Sequence, residues 1–242
     1  MNKHQAHPLS WAGLLVTLGI IYGDIGTSPL YVFKAIIKER EITEQLVFGA
    51  ISCVFWTLTI QTTFKYILLT LRADNRGEGG IFSLYALVRR YGKWVYLPTI
   101  LGAATLLADG VITPPISVSS AVEGLGGVRA FEGLIEPGNN LTVGIVIGIL
   151  SLLFFFQRFG TKVVGFAFGP MMFVWFSMLL ILGLVHVGHY PDVLRCLNPY
   201  YAYDLLVNYP NGFWLLGAVF LCTTGAEALY SDLGHCGRQN IQ

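Results

Sequence analysis

The amino-acid sequence predicts an all-α polytopic membrane protein with six transmembrane helices, and three observations carry that expectation. Hydrophobic residues make up 54% of the 242 and charged residues only 12%, about half the charged share of a typical soluble domain. The apolar residues are also gathered into uncharged runs at 46–64, 96–108, 141–157, 163–191 and 205–226, several of which approach or exceed the roughly 20 residues that a spanning helix needs. Lysine and arginine, finally, fall mainly between the runs and unevenly on their two sides.

The spans are expected at about 11–36, 46–71, 96–125, 141–157, 163–189 and 211–235. The first follows Lys3 in the manner of a signal peptide, but no small-x-small cleavage pattern appears before Asp24, so it reads as a retained helix. After the second, Gly77–Gly80 (GEGG) marks a loop, and the apolar-periodic IFSLYALV that follows reads as a short interfacial or re-entrant helix. The stretch 126–140, Gly-rich and acidic, links the third span to the fourth. No room is left for a soluble domain, so 1–242 reads as a single transmembrane domain.

With the N-terminus inside, Lys3, Lys65, Arg72, Arg76, Arg89, Arg90, Lys93, Arg158, Lys162 and Arg238 fall on the cytoplasmic side, against Lys34, Lys38, Arg40, Arg129 and Arg195 opposite. This excess predicts that both termini are cytoplasmic, as an even number of spans requires. The net charge of +1 excludes a basic surface built for nucleic acid. Cys53, Cys196, Cys222 and Cys236 form no CxxC pair, and no disulfide framework is expected. His186 and His189 on the fifth span read as interfacial packing rather than metal ligands, with His4, His7 and His235 elsewhere.

Charge inside a span costs at least about 2.5–3.5 kcal/mol at the helix centre, so an intramembrane carboxylate is a functional-site hypothesis. Asp24, Asp109 and Glu227 occupy such positions. Asp24 lies in YGDIGTSPLY, where Gly23 and Gly26 permit non-helical backbone and Pro29 cannot donate to the carbonyl of Ile25. An interrupted helix is expected there, and irregular backbone at membrane depth is tolerated where it lines a polar cavity. Asp109, Thr113 and Ser117 recur every four residues, forming a stripe of oxygens on one helix face just where Pro114 and Pro115 should release the carbonyls of Gly110 and Val111. Around Glu227, TTGAEALYSD combines hydroxyls and a glycine after an apolar run, predicting a second interrupted helix. Carboxylate, hydroxyl and carbonyl oxygens together suit a hard monovalent cation, whose water shell they can replace.

Four motifs, GDIGTSPLY at 23–31, RADNRGEGGI at 72–81, DGVITPPISVSSAVEGL at 109–125 and GAEALYSDLGHCGR at 225–238, resemble the Kup (KUP/HAK/KT) family of potassium uptake transporters. The resemblance covers essentially the whole chain. It implies potassium import across the cell membrane by proton symport, on a scaffold of two inverted five-helix repeats of the amino acid-polyamine-organocation superfamily. This chain would hold the first repeat and the first helix of the second, with helices 1 and 6 interrupted. Because such transporters have about twelve spans and a cytoplasmic domain, a truncated chain without that C-terminal domain is expected. By motif, potassium would be held by Asp24, Tyr31, Asp109, Thr113, Ser117, Thr224 and Glu227. Pro115 stands where the family commonly has a small residue.

For proton coupling Glu227 is the leading residue and Asp24 its competitor, since a carboxylate beside a half-helix end can alternate between pairing with a cation and carrying a proton. No cofactor is expected; potassium is the substrate, the proton the coupling ion, membrane lipid the surroundings, and a homodimer stays open. Two other readings compete with transport by this chain. One is a non-transporting membrane fragment that associates with a full-length transporter. The other is an intramembrane aspartyl protease using Asp24 and Asp109, which explains neither Glu227 nor the hydroxyl stripe and lacks the GxGD sequence around Asp109.

Overall fold

The structure, a computed structural model, describes residues 9–37, 40–157 and 161–242, without the side chains at 30, 157 and 161–167. Lys3, His4, His7, Lys38 and Arg158, together with the side chain of Lys162, therefore lie outside the described residues. All regular structure among the described residues is helical. The chain divides into two compact units, one built from 1–92 and 165–242 and the other from 93–164.

In the larger unit α1 (Trp11–Ile20) starts from Ser10, whose hydroxyl accepts the amide of Gly13 at 3.0 Å. It meets α2 (Tyr22–Ile37) at a bend of 51° around Ile21. The interruption thus falls one residue before the glycine-rich motif, and α2 runs unbroken through Gly23, Gly26 and Pro29. Side chains hold it together where regular bonding is weakest: the Thr27 hydroxyl donates to the carbonyls of Gly23 and Asp24, and that of Ser28 donates to Asp24 at 2.7 Å.

The next span, Glu44–Arg72, opens as α3 (Glu44–Leu58), capped by the Thr43 hydroxyl at 3.2 Å from the Leu46 amide. It continues as a π-helix over Thr59–Leu69, an unusually long stretch of wide turns. A tight turn then leads into α4 (Ile81–Val88), the short helix expected after the GEGG sequence.

From the second half of the chain, α7 (Thr161–His189) crosses α1 where Gly19 and Gly169 face each other. A Cβ on Gly19 would lie 2.5 Å from the Gly169 amide nitrogen, so the two backbones meet without intervening side chains. Amphipathic α8 (Pro199–Asn208) packs along α3, where Leu205 sits against Gly49. Ser52 and Trp56 donate to the carbonyls of Asn198 and Leu197, each at 3.1 Å, which fixes the start of α8 on α3.

The last expected span begins as α9 (Gly212–Phe220), tightens through Leu221–Thr223, and loses regular structure over 224–227. It resumes as three short helices, α10 (Ala228–Ser231), α11 (Leu233–Cys236) and α12 (Arg238–Ile241). One apolar cluster joins α2, α3, α8 and α9 around Val32, Leu46, Leu205 and Val219, while a second gathers Ile21, Leu71, Leu229, Leu233 and Ile241.

The smaller unit is a helical hairpin, of α5 (Tyr96–Leu125) and α6 (Asn140–Gln157), packed antiparallel through Val118, Val122, Val146 and Leu150. Between them Ile135 folds back onto Val122 and Val146. Neither Pro114 nor Pro115 stops α5.

Among the described residues, four helical segments are long and apolar enough to cross a membrane: Glu44–Arg72, Lys93–Leu125, Phe168–His189 and Gly212–Ser231. A fifth is present if the bent α1–α2 pair is one span, and Asn140–Phe156 is a shorter apolar helix. Only 6% of the most apolar window of Lys93–Leu125 is buried, which leaves an apolar surface that water covers at high cost but lipid covers freely.

Candidate functional site

The break in the last span is built by local backbone chemistry. Thr224 is extended, with ψ 132°, and Gly225 follows with φ +87°, a conformation that L side chains rarely adopt. The helix therefore ends at Thr223 and restarts at Ala228, leaving Glu227 immediately before α10. Turns bridge the gap: the amides of Thr224, Ala226 and Ala228 donate to the carbonyls of Leu221, Thr223 and Gly225 at 3.2, 3.0 and 3.1 Å.

Gly225 is pressed onto the first turn of α2. A Cβ added to it would lie 2.5 Å from the Cβ of Asp24 and 3.4 Å from the amide nitrogen of Ile25. The bend of the first span and the break of the last thus meet, and Asp24 stands at the contact. Asp24 occupies the first turn of α2, where a carboxylate complements the unpaired amides of a helix start. Its carbonyl accepts the Ser28 hydroxyl, and Ser28 is bonded in turn to the phenol oxygen of Tyr31 at 2.8 Å. Tyr31 is buried. Behind this line α7 closes the unit, its Trp175 indole donating to the Gly26 carbonyl at 3.3 Å and its Phe176 ring lying where a Cβ on Gly26 would be.

Of the predicted residues, Asp24, Tyr31, Thr224 and Glu227 belong to the larger unit, and Asp109, Thr113 and Ser117 to the smaller. Within the first group, Asp24 meets the 224–227 break directly and Tyr31 is linked to it through Ser28. In the second group the Thr113 hydroxyl donates to Asp109 Oδ1 at 3.0 Å, and Thr113 is buried. Ser117, one turn further on, has a buried hydroxyl oxygen with no hydrogen-bond partner among the described residues. An oxygen kept from water without a partner is costly, and a ligand that it could coordinate would offset that cost.

Two residues of this arrangement were not singled out by the sequence. Ser28 joins Asp24 to Tyr31, and its signal was the three-residue spacing to a phenol on the same helix face. Tyr66, on the π-helix, lies within electrostatic reach of Glu227 and packs against the cluster of Leu229 and Tyr230. Its signal was a phenol at membrane depth, which needs a polar partner.

Residues 11–242 match the family model described as the K+ potassium transporter integral membrane domain. The chain belongs to this family. Among its relatives is the probable potassium transport system protein Kup of Flavobacterium johnsoniae, 60% identical over 242 residues, which are all of this chain and 36% of the relative. The protein of the same name from Flavobacterium psychrophilum is 61% identical, again over all of this chain and 36% of the relative. That of Clostridium perfringens is 50% identical over 99% of this chain and 37% of its own length. The chain therefore spans a little over a third of the length of these relatives. No solved structure matches it. With its family and its apolar helices together, the chain is a membrane protein of several spans.

Proposed function

We propose that this chain takes part in potassium uptake across the cell membrane, coupled to proton symport, with six spans in the inverted-repeat arrangement and both termini cytoplasmic. Its relatives carry the name of potassium transport system proteins. Potassium would be held in the larger unit by Asp24, Tyr31, Thr224 and Glu227. The smaller unit would offer Asp109, Thr113 and Ser117.

One observation carries the reading: two interrupted spans meet at Asp24 and Gly225, with Glu227 two residues beyond the contact. Two carboxylates beside interrupted helices at membrane depth are costly to keep, and such positions mark a functional site. Potassium suits this set, because a weakly hydrated monovalent ion exchanges water for carboxylate, hydroxyl and carbonyl oxygens without a rigid cage. Glu227 would carry the coupled proton, with Asp24 as the alternative carrier. The 224–227 break leaves Glu227 outside regular helix, so its side chain can serve the ion or a proton without disturbing α9.

The test is a chimera in which these 242 residues replace the matching segment of the Flavobacterium johnsoniae relative. In cells lacking other potassium uptake, the chimera should restore growth at limiting potassium, and Asp24→Asn should abolish that growth without changing the amount of protein in the membrane. Wild-type uptake kinetics in the Asn variant would overturn the site.

A further inference from the structure

The RADNRGEGGI motif contributes nothing to the ion ligands described above, yet its geometry is built with unusual care. Asn75 and Glu78 exchange both backbone hydrogen bonds, at 2.9 and 3.2 Å, closing a two-residue turn on Arg76 and Gly77. Both central residues have positive φ, 59° at Arg76 and 86° at Gly77, and the Asp74 carboxylate accepts the Gly77 amide at 2.8 Å. A left-handed arginine is costly and persists where its surroundings impose it.

What surrounds the turn is the last span beyond its break. Gly79 lies so close to the Tyr230 carbonyl oxygen that a Cβ would collide with it, and Gly80, with φ +89°, passes Ser231. From the other side, a Cβ on Gly234 would come within 2.6 Å of the Glu78 carboxyl carbon. The Tyr230 phenol completes the contact by donating to the Ala73 carbonyl at 2.6 Å. Three glycines and one phenol thus bring two backbones together along 73–80 and 230–234.

We propose that the turn Ala73–Gly80 is a clamp on the last span beyond its break, and that Tyr230, Gly79 and Gly234 are positioning residues that hold the 228–234 segment against the turn and so fix the 224–227 break. The second part rests on the reading of the 224–227 break as part of the ion site. Glu227 and Tyr230 are tied by a backbone bond of 3.0 Å from the Tyr230 amide to the Glu227 carbonyl. With one side of the half-helix held by the clamp and Gly225 held on Asp24, the short segment between them has little freedom. The same span that leads into the turn brings Tyr66 toward Glu227.

Two measurements test this. In the chimera, the KM and maximal rate of rubidium uptake are measured for Tyr230→Phe, Gly79→Ala and the double variant, with Gly49→Ala as a comparison whose added methyl disturbs the α3–α8 contact. Both clamp variants should raise KM about threefold or more with a smaller change in maximal rate, the double variant no further than Gly79→Ala alone, and Gly49→Ala should leave KM as it was. An unchanged KM in both clamp variants would overturn the positioning role. In the 242-residue chain in nanodiscs, hydrogen exchange of the 229–234 amides should quicken roughly tenfold in Gly79→Ala while α3 is spared. Unchanged exchange would overturn the clamp itself. If Asp24→Asn leaves uptake as it was, the reading of the break as part of the ion site fails and takes the positioning role with it, while the exchange result still decides the clamp.

Discussion

Two helical segments of this chain carry helix-disrupting residues at membrane depth, and they respond differently. In α5 two consecutive prolines, Pro114 and Pro115, remain inside a helix of 30 residues. In the last span one glycine, Gly225, accompanies four residues without regular structure. Proline removes one donor and strains the preceding turn, but its φ of about −65° is a helical one, so the chain can continue. Gly225 has φ +87°, which no right-handed helix contains. A positive φ redirects the chain, whereas a missing donor only weakens it. The same contrast holds within α2, where Pro29 leaves the helix intact while Thr27 and Ser28 bond to the carbonyls one turn back.

The sharpest way to break the comparison is Gly225→Ala. The substitution forces an L residue into the left-handed region, which costs about 1–3 kcal/mol, and its methyl would lie 2.5 Å from the Asp24 Cβ. Uptake by the chimera should be lost altogether, and thermal unfolding of the 242-residue chain in detergent should move to lower temperature. If Gly225→Ala transports normally, the contact between the two breaks is not part of the site. The next effect in size is that of Glu227→Gln. The amide can still offer an oxygen to a cation but cannot release a proton. Potassium influx into proteoliposomes should fall and lose its dependence on external pH between about pH 5 and pH 8. An unchanged profile would move the coupling role to another carboxylate, with Asp24 the first to examine.

How much of this was legible beforehand follows from which interactions are local. The glycine beside Glu227 and the four-residue spacing of Asp109, Thr113 and Ser117 are properties of short stretches, and the sequence displays them directly. Nothing local says that Gly225 rests on Asp24, since about 200 residues separate them. The first bend lies away from the glycines for a related reason. Gly23, Gly26 and Pro29 all favour a break, but Gly26 is packed against Phe176, and the hydroxyls of Thr27 and Ser28 bond back along the helix, so the bend falls at Ile21 instead. The π-helix over Thr59–Leu69 left no mark in composition either. Its sequence TIQTTFKYILL would serve an α-helix as well, and only the packed structure turns Tyr66 toward the 226–230 segment.

The smallest predicted effect concerns Ser117 and separates a ligand from a structural hydroxyl. Its oxygen is buried and unpartnered among the described residues, one turn beyond the bonded pair of Thr113 and Asp109. Removing a buried hydroxyl that has no partner takes away a desolvation penalty of about 1–3 kcal/mol without breaking a bond. In potassium-free buffer Ser117→Ala should therefore be as stable as the parent or slightly more so. A ligand role adds the opposite effect when the ion is present, because binding stabilises the folded state in proportion to the logarithm of ligand concentration over its dissociation constant. Potassium should then raise the unfolding temperature of the parent chimera more than that of Ser117→Ala, so the two melting curves cross as potassium is added. Thr113→Ala provides the contrast, since it leaves Asp109 without its donor and should destabilise the protein at every potassium concentration. Parallel potassium dependence in the Ser117→Ala variant and the parent would mean that this hydroxyl is not a ligand, and that the oxygen stripe on α5 ends at Thr113.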